Sequence, residues 1–248
     1  MRLQLSTWQE VDAYLSRSKG IIIPIGSTEQ HGPNGLIGTD AICPEFIAKG
    51  VAEKIDVLVA PTINVGIAQH HLGFAGSMAL RPSTLIAVIT DMVASLAHHG
   101  FERCYFLNGH GGNIATITAA FAEIYTNSSL HSPEEDFPLR CKLSNWYMGL
   151  AVQQVSKELF ADAEGSHATP SEVSLTYFAH PDAIKKVAMS PQRAPTGPVY
   201  TALDFRQRFP DGRIGSEPAL ASTDSGEKLF HAAVRDITAD YQAFLRTR

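Results

Sequence analysis

The 248-residue chain contains little cysteine and no closely spaced cysteine pair. Its three cysteines, Cys43, Cys104 and Cys141, stand far apart, whereas zinc ribbons and redox dithiols use pairs at short spacing. These two kinds of site are therefore excluded. Cys104 lies in an apolar run, which predicts a buried and unreactive thiol.

Long hydrophobic runs are also missing. Polar residues interrupt the first ten positions too early for the apolar region of a signal peptide. No apolar stretch approaches the length of a membrane span. We therefore expect no membrane partner and a cytoplasmic location.

Positive charge is not concentrated anywhere in the chain. Lys and Arg number 20 against 25 Asp and Glu, and the densest basic points are Lys185 with Lys186 and Arg246 with Arg248. A protein that follows a phosphate backbone needs a larger basic patch, so no nucleic-acid partner is predicted. A hydrophobic content of 44% over this length is ordinary for one α/β domain, and residues 1–248 are predicted to form one.

Short apolar runs rich in β-branched residues alternate with helical patterns, which is typical of βαβ units and a mainly parallel sheet flanked by helices. Strands are predicted over 20–25, 57–63, 103–107 and 139–146. Helices are predicted over 44–55, from 83 to a stop at Gly100, and over 114–125, 150–159, 171–179 and 225–245. Residues 188–218 show weak periodicity and are expected to form a long loop excursion. Such a segment is expected to take part in function or to make subunit contacts.

Possible metal ligands first gather in the glycine-rich segment after the first strand. In extended backbone Glu29 and His31 point to the same side, and the glycines and Pro33 allow the chain to bring Asp40 back to the same point. Crevices at the carboxyl ends of parallel strands are the usual ligand sites of such sheets. The alternative is that Glu29 and His31 are exposed turn residues and that Asp40 caps a helix.

A second group lies in the loop Asn108–Asn113, which follows a predicted strand and precedes a helix. His110 could be a ligand there, because its neighbouring glycines permit close backbone approach. The alternatives are a plain strand-to-helix turn or a phosphate cradle. The glycines only approach the dinucleotide-binding pattern, since Ile114 stands where a third small residue is needed.

A third group lies between Asp162 and Ser174. Glu172 falls in the first turn of a helix that Thr169 or Ser171 could cap, a position where the helix dipole favours an anion without any metal. His167 lies in a turn with acidic neighbours, which favours a role in a site. By contrast, His70 and His71 are adjacent in a strand-like segment, so they should face opposite ways and at most one should enter a site.

Taken together, these motifs resemble the creatininase (creatinine amidohydrolase) family. They are GSTEQHGP with a trailing GTD, HLGFAGS, NGHGGN, and a His-Ala pair followed by Glu172 and Ser174. The resemblance runs from about Ile21 to Ser174, with a weaker echo over 212–226. It implies a three-layer α/β/α fold, a small-molecule amide substrate and a homohexamer.

The resemblance also implies a site with two divalent ions, commonly zinc or manganese. Asp40 matches the carboxylate that bridges them, Glu29 and His110 match ligands of one ion, and His31 and Glu172 match ligands of the other. His167 matches the histidine that transfers protons. Residues on the substrate side are expected to be His71, Gly111 and Glu164.

That ligand set implies a chemistry. Mixed carboxylate and imidazole ligands suit zinc or manganese better than magnesium. Two such ions lower the pKa of a bridging water and polarise a carbonyl, and His167 could protonate the leaving nitrogen. The expected reaction is hydrolysis of a carbon–nitrogen bond in a cyclic amide or lactam.

Three departures bear on the substrate. Gly112 stands where creatininase proper has an acidic residue, Ala163 stands where a tryptophan packs on the substrate ring, and Ala68 replaces a serine. Creatinine is therefore not the expected substrate. The alternatives are a deformylase or peptide-processing enzyme on the same scaffold, and a non-enzymic small-molecule or nucleotide-binding protein. The ligand set with His167 argues against the last.

Overall fold

The computed structural model of the protein describes residues 1–131, 134 and 137–247. Four parallel strands form one sheet in the order β2-β1-β3-β4. The strands are β1 (Gly20–Ile25), β2 (Leu58–Val59), β3 (Arg103–Asn108) and β4 (Arg140–Asn145). The helices are α1 (Trp8–Leu15), α2 (Thr39–Lys54), α3 (Pro82–His98), α4 (Ile114–His131), α5 (Leu150–Phe160), α6 (Pro170–Ala179), α7 (Ala202–Arg208) and α8 (Thr223–Leu245).

Helices cover both faces of the sheet because its central strands are apolar on both sides. Along β1, Ile22 packs with α2, α5 and α8, whereas Ile21 and Ile23 pack with α1, α3 and α4. Tyr105 and Phe106 of β3 divide in the same way between the two cores. The α/β fold with a parallel sheet between helical layers is thus confirmed, and Cys104 is buried as predicted.

The order of the strands places a crevice at one point of the sheet. From β1 the chain runs through α2 to β2 on one side, and from β2 it returns through α3 to β3 on the other. The loops after β1 and β3 therefore diverge, which opens the crevice where parallel sheets bind ligands.

The second strand is shorter than predicted. The expectation of a strand over 57–63 was wrong, because regular parallel pairing beyond Ala60 would need the amide of residue 24 in β1, and Pro24 has no N–H to donate. The amide of Ala60 donates to Ile22 O at 2.8 Å, and regular pairing resumes only at Ile63, whose amide donates to Pro24 O at 3.0 Å. The strand thus reduces to Leu58–Val59 with an isolated bridge at Ile63.

Helix α2 begins earlier than predicted. A start near Pro44 was expected, yet the helix begins at Thr39 and Pro44 lies inside it. A proline at this position removes one hydrogen bond, to the carbonyl four residues before it, which is that of Asp40. Asp40 is therefore part of the first helical turn.

Two further elements lie outside the predicted set. Helix α1 begins with a capping box in which Thr7 and Glu10 bond each other's backbone amides, a signal that could have identified it. The excursion over 188–218 contains α7 and is anchored by buried Arg213, which donates to Pro191 O and Gln192 O. Across the described residues, no helix combines the length and apolar character that a bilayer crossing requires.

Candidate metal centre

The ligand-type residues predicted from the sequence come together at the crevice. Glu29 and His31 follow β1, His110 follows β3, and Asp40 and Glu172 lie in the first turns of α2 and α6. Their possible ligand atoms form two groups, each within 4.8 Å: Glu29, Asp40 and His110, and His31, Asp40 and Glu172. Asp40 belongs to both groups, and all five residues are buried or half-buried.

Asp40 presents its two carboxylate oxygens to two different imidazoles. Oδ1 lies 3.1 Å from Nε2 of His31, and Oδ2 lies 2.8 Å from Nδ1 of His110. A carboxylate that bridges two cations needs one oxygen for each, and this arrangement supplies it.

The other nitrogen of each imidazole faces a backbone carbonyl. Nδ1 of His31 is 3.1 Å from the carbonyl oxygen of Glu29, and Nε2 of His110 is 2.8 Å from that of Ile67. A ring that donates to a carbonyl from one nitrogen carries a lone pair on the other, as histidine ligands of metals usually do. In this tautomer both lone pairs point at Asp40.

Close backbone contacts hold Asp40 between the two strands. Because Pro44 leaves the Asp40 carbonyl free, the chain can pack directly against it. A Cβ atom at Gly26 or at Gly109 would lie 2.0 Å from that carbonyl oxygen. Only glycine fits at these two positions, so the ends of β1 and β3 both seat on the first turn of α2.

Glu29 is fully buried beside Asp40. Its Oε2 accepts a hydrogen bond from Ser27 Oγ at 2.7 Å and lies 3.4 Å from Nε2 of His110. Oε1 lies 2.9 Å from Nε2 of His71 but outside hydrogen-bond geometry. Within the described part of the chain, Glu29 Oε1 and Asp40 Oδ2 are buried oxygens without a hydrogen-bond partner. Such oxygens are rare in folded proteins and point to a missing cation.

Glu172 caps a helix and also faces the cluster, two positions that the sequence left as alternatives. Its Oε1 accepts a hydrogen bond from the Thr169 amide at 2.5 Å, and Thr169 Oγ1 accepts one from the Glu172 amide, which completes a capping box at the start of α6. The free oxygen, Oε2, lies 3.9 Å from Nε2 of His31. Helix capping therefore orients the carboxylate towards the centre.

The density of buried charge shifts the pKa values of the cluster. Burial raises the pKa of Glu29 to about 7, with a further contribution from Asp40, and burial likewise raises that of Glu172 to about 7. Burial opposes protonation of His31 and His110, but Asp40 and its neighbours prevail and raise their pKa values to about 10 and about 9. In the metal-free protein, protons bound to His31 and His110 thus balance the negative charge of the carboxylates.

The residues present fit divalent ions. Three carboxylates and two imidazoles converge, both imidazoles have their second nitrogen at a carbonyl, and two buried oxygens lack a donor. This mixture of oxygen and nitrogen donors suits zinc or manganese.

His167 lies beside these residues. Its ring centroid is 4.6 Å from that of His31, and its Nδ1 is 4.0 Å from Glu29 Oε1. The next residue, Ala168, has a left-handed backbone with φ of 54°, which is strained for a residue with a Cβ atom. That turn separates His167 from the capped start of α6.

The prediction for the adjacent histidines was wrong in its geometry. Gln69–His71 form a 3-10 turn, so His70 and His71 do not alternate as in a strand. Their ring centroids are 4.2 Å apart, and both residues line the cavity described next. His71 is 1% exposed, whereas His70 is half-buried.

A cavity of about 580 Å³ opens over the cluster. Its wall includes the predicted substrate-side residues His71, Gly111 and Glu164, together with His167. Among the described residues that line the cavity, Ala163 is not included. Gly111 faces open space, because a Cβ atom there would meet only Tyr147 Oη, at 3.7 Å.

Gly112 is confined, in contrast to Gly111. A Cβ atom at this position would lie 2.4 Å from Nε2 of His110 and 2.6 Å from the carbonyl oxygen of Ile67. An acidic side chain could therefore not be placed at this position without moving His110.

Gln30 is the neighbour of the cluster that sequence reasoning missed. It is 8% exposed, and its side-chain nitrogen lies 3.0 Å from His71 Nδ1 and 2.9 Å from His167 Nε2. The available signal was its position between Glu29 and His31 in a glycine-bounded motif. The partners of Gln30 come from distant segments, which local spacing does not reveal.

The chain is similar to known proteins over most of its length. Residues 4–240 match the family model Creatininase, described as creatinine amidohydrolase. A creatinine amidohydrolase of Pseudomonas putida is 27% identical over 93% of this chain and 92% of its own length. A mycofactocin precursor peptide peptidase of Mycolicibacterium smegmatis is 34% identical over 41% of this chain and 43% of its own length. A solved structure titled "Creatininase Mn" superimposes with a TM-score of 0.86 at 24% identity, covering 99% of both chains.

Proposed function

Because the chain belongs to the creatininase family of amidohydrolases, we propose that it hydrolyses a carbon–nitrogen amide bond of a small molecule with about two divalent ions, zinc or manganese. The ligands of this proposal are Glu29, His31, Asp40, His110 and Glu172. Ions bound there would supply an activated water near neutral pH and polarise the amide carbonyl.

The observation that carries the proposal is the position of Asp40. Its oxygens face two imidazoles at 3.1 and 2.8 Å, and each imidazole has its second nitrogen at a backbone carbonyl. One ion at each oxygen would take the place of the proton that the raised pKa values of His31 and His110 put there in the metal-free protein. A non-enzymic nucleotide-binding role gains no support, since the His110 amide already donates to Asn108 Oδ1.

His167 is proposed to transfer protons. It lines the cavity, and its Nδ1 lies 4.0 Å from Glu29 Oε1. Burial, with the neighbouring imidazoles of His31 and His71, holds its pKa well below the ordinary value. His167 is therefore neutral at pH 7 and able to accept a proton and then give it to the leaving nitrogen.

Glu164 is proposed to bind the substrate. Its Oε1 accepts a hydrogen bond from Ser171 Oγ, which fixes the carboxyl group in the cavity wall. Its Oε2 is buried and, among the described residues, has no hydrogen-bond partner. A substrate N–H group would satisfy that oxygen. His71 and Gly111 border the same cavity and complete the proposed substrate side.

The preferred substrate is proposed to be a small cyclic amide other than creatinine, or a formamide. Ala163 offers no ring for stacking, and the confined Gly112 leaves no room for an acidic side chain. The aromatic residues that line the cavity are Trp146 and Tyr147, which follow β4. The wall against which a flat ring would lie is thus built differently from the one that the family pattern implies.

The proposal is tested by metal analysis followed by a turnover screen of the zinc- and the manganese-loaded protein. We expect about two ions per chain and the highest kcat/KM with a lactam of the hydantoin type or a formamidopyrimidine. Creatinine as the best substrate would refute the argument from Ala163, and a short peptide as the best substrate would favour a peptidase like the mycobacterial relative. Fewer than about one ion per chain in folded, metal-replete protein would refute the metal site.

We also propose that the chain forms a homo-oligomer, with a hexamer expected from the family resemblance. Large apolar side chains are exposed at Trp8 (71%) and Leu150 (85%), which a subunit contact would cover. Sedimentation equilibrium would test this assembly, and a monomer at micromolar concentration would contradict it.

A further inference from the structure

Gln30 lies between the two histidines that border the metal ligands and the cavity. We infer that Gln30 is a positioning residue whose side-chain amide sets the protonated nitrogen of His71, while its backbone carbonyl sets that of His167. The inference rests on the proposed function for its catalytic meaning, because it concerns the histidine assigned to proton transfer. The geometric part does not depend on any activity.

The orientation of the Gln30 amide is fixed from outside the site. Its Oε1 accepts a hydrogen bond from the Gly32 amide at 2.9 Å, and its Nε2 donates to the carbonyl of Gly212 at 3.0 Å. A rotated amide would place two acceptors together at Gly212 and two donors together at Gly32. The nitrogen, and not the oxygen, therefore faces the imidazoles.

The proton of His167 follows from the backbone of the same residue. The carbonyl oxygen of Gln30 is buried and lies 2.9 Å from Nε2 of His167. An acceptor at this distance requires a donor, so His167 carries its proton on Nε2. The 2.9 Å separation between the side-chain nitrogen of Gln30 and the same Nε2 is then a contact without a hydrogen bond.

The proton of His71 follows next. Gln30 Nε2 has two hydrogens, and the carbonyl of Gly212 takes one of them. The second can only go to an acceptor, which is His71 Nδ1 at 3.0 Å. His71 therefore carries its proton on Nε2, which lies 2.9 Å from Glu29 Oε1. This assignment gives both hydrogens of the Gln30 side-chain amide an acceptor.

The consequence for the reaction concerns one atom. With its proton fixed on Nε2, His167 has a lone pair on Nδ1, and Nδ1 is the nitrogen that approaches the ligand cluster, 4.0 Å from Glu29 Oε1. The backbone carbonyl of Gln30 thus presents the basic nitrogen of His167 to the site where a proton must be accepted and returned.

Nitrogen-15 NMR of the zinc-loaded protein tests the assignment directly, because imidazole shifts separate protonated from unprotonated nitrogens. We expect Nε2 to be protonated and Nδ1 unprotonated in both His71 and His167. A proton on Nδ1 of either histidine in the wild-type protein would overturn the inference. The NMR result does not depend on finding an amide substrate, and the metal content is measured separately. A failure of this inference can therefore be distinguished from a failure of the proposed function.

The matched variant is Gln30→Glu, which keeps the shape and the contact with Gly32 but cannot donate from its carboxylate. His71 should then turn its proton to Nδ1, whereas His167, which donates to the backbone carbonyl of residue 30, should keep its proton on Nε2. Gln242→Glu, on the exposed face of α8, makes the same charge change as a control. Unchanged imidazole shifts in a folded Gln30→Glu protein would contradict the positioning role, and Gln30→Asn provides the same test with no added charge.

Discussion

At the scale of single residues, Asp40 carries the largest share of the proposed centre. Its side chain is buried, with the residue 3% exposed, and its two oxygens lie 3.1 and 2.8 Å from imidazole nitrogens. Asp40→Ala should therefore reduce the metal content from about two ions per chain to near zero, measured by inductively coupled plasma mass spectrometry. Asp91→Ala, on the exposed face of α3, is the control. Retention of one tight ion in Asp40→Ala would mean that Asp40 serves a single ion.

His167 should separate metal binding from turnover. His167→Ala is expected to keep both ions and to lose roughly a hundred- to ten-thousand-fold in kcat, since a proton-transfer group contributes about that much. His99→Ala, at the exposed end of α3, should have neither effect. His167 also lies within 4.8 Å of Glu29 and His31 in a third possible ligand group. Loss of metal in His167→Ala would therefore reassign this histidine as a ligand.

At the scale of secondary structure, the start of α6 links helix stability to the site. Thr169 Oγ1 accepts a hydrogen bond from the Glu172 amide at 3.2 Å, and the same turn holds the Glu172 carboxylate. Thr169→Ala should destabilise the metal-free protein by about 1 kcal/mol in urea unfolding. Thr169→Ser retains the hydroxyl and should lose much less. Equal losses in both variants would show that the methyl group, and not the cap, matters.

Helix α2 shows how an element is fixed by its surroundings. The close approach of Gly26 and Gly109 to the Asp40 carbonyl extends the helix to Thr39, five residues before the proline from which a start was predicted. Pro44 reads as a start signal in the sequence, because proline is common in the first turn. Packing against two strand ends outweighs that signal.

At the scale of the whole molecule, the buried charges should make the stability of the metal-free protein depend on pH. His31 and His110 have raised pKa values of about 10 and 9, and Glu29 and Glu172 have raised values of about 7. The folded state therefore holds more protons than the unfolded state between the ordinary and the raised values. The stability that these additional protons contribute to the folded state is present at low pH and is lost as pH rises through 7 to 10.

Groups whose pKa is lowered in the folded state affect the stability in a different pH range. Asp40 has a lowered pKa and matters only below its ordinary value of 3.8, and His71, lowered to about 2, matters below 6.5. The free energy of unfolding of metal-free protein should thus fall between pH 7 and 9.5 in urea titrations, and zinc should restore more at the higher pH. His31→Gln should flatten the slope, whereas His99→Gln should not. A stability that rises over this range would contradict the charge arrangement.

The sequence alone determined the parallel α/β fold and the local placement of the proposed ligands. Strands β1 and β3 were predicted within one residue of their bounds, because apolar periodicity and the glycine turns that follow are local signals. The motifs also identified the possible ligands, which are Glu29, His31, Asp40, His110 and Glu172. Their roles remain predictions, although the fold brings them together.

Tertiary structure decided what the residues contact. The two oxygens of Asp40 reach imidazoles from β1 and β3 only because α2 packs on both strand ends, and Gln30 meets His71, His167 and Gly212 across as many as 182 positions of sequence. Hydrogen-bond direction and burial depend on atoms from distant segments, which no local pattern contains. That is why the sequence could specify the kinds of groups in the site, whereas the direction in which each proton points had to come from the fold.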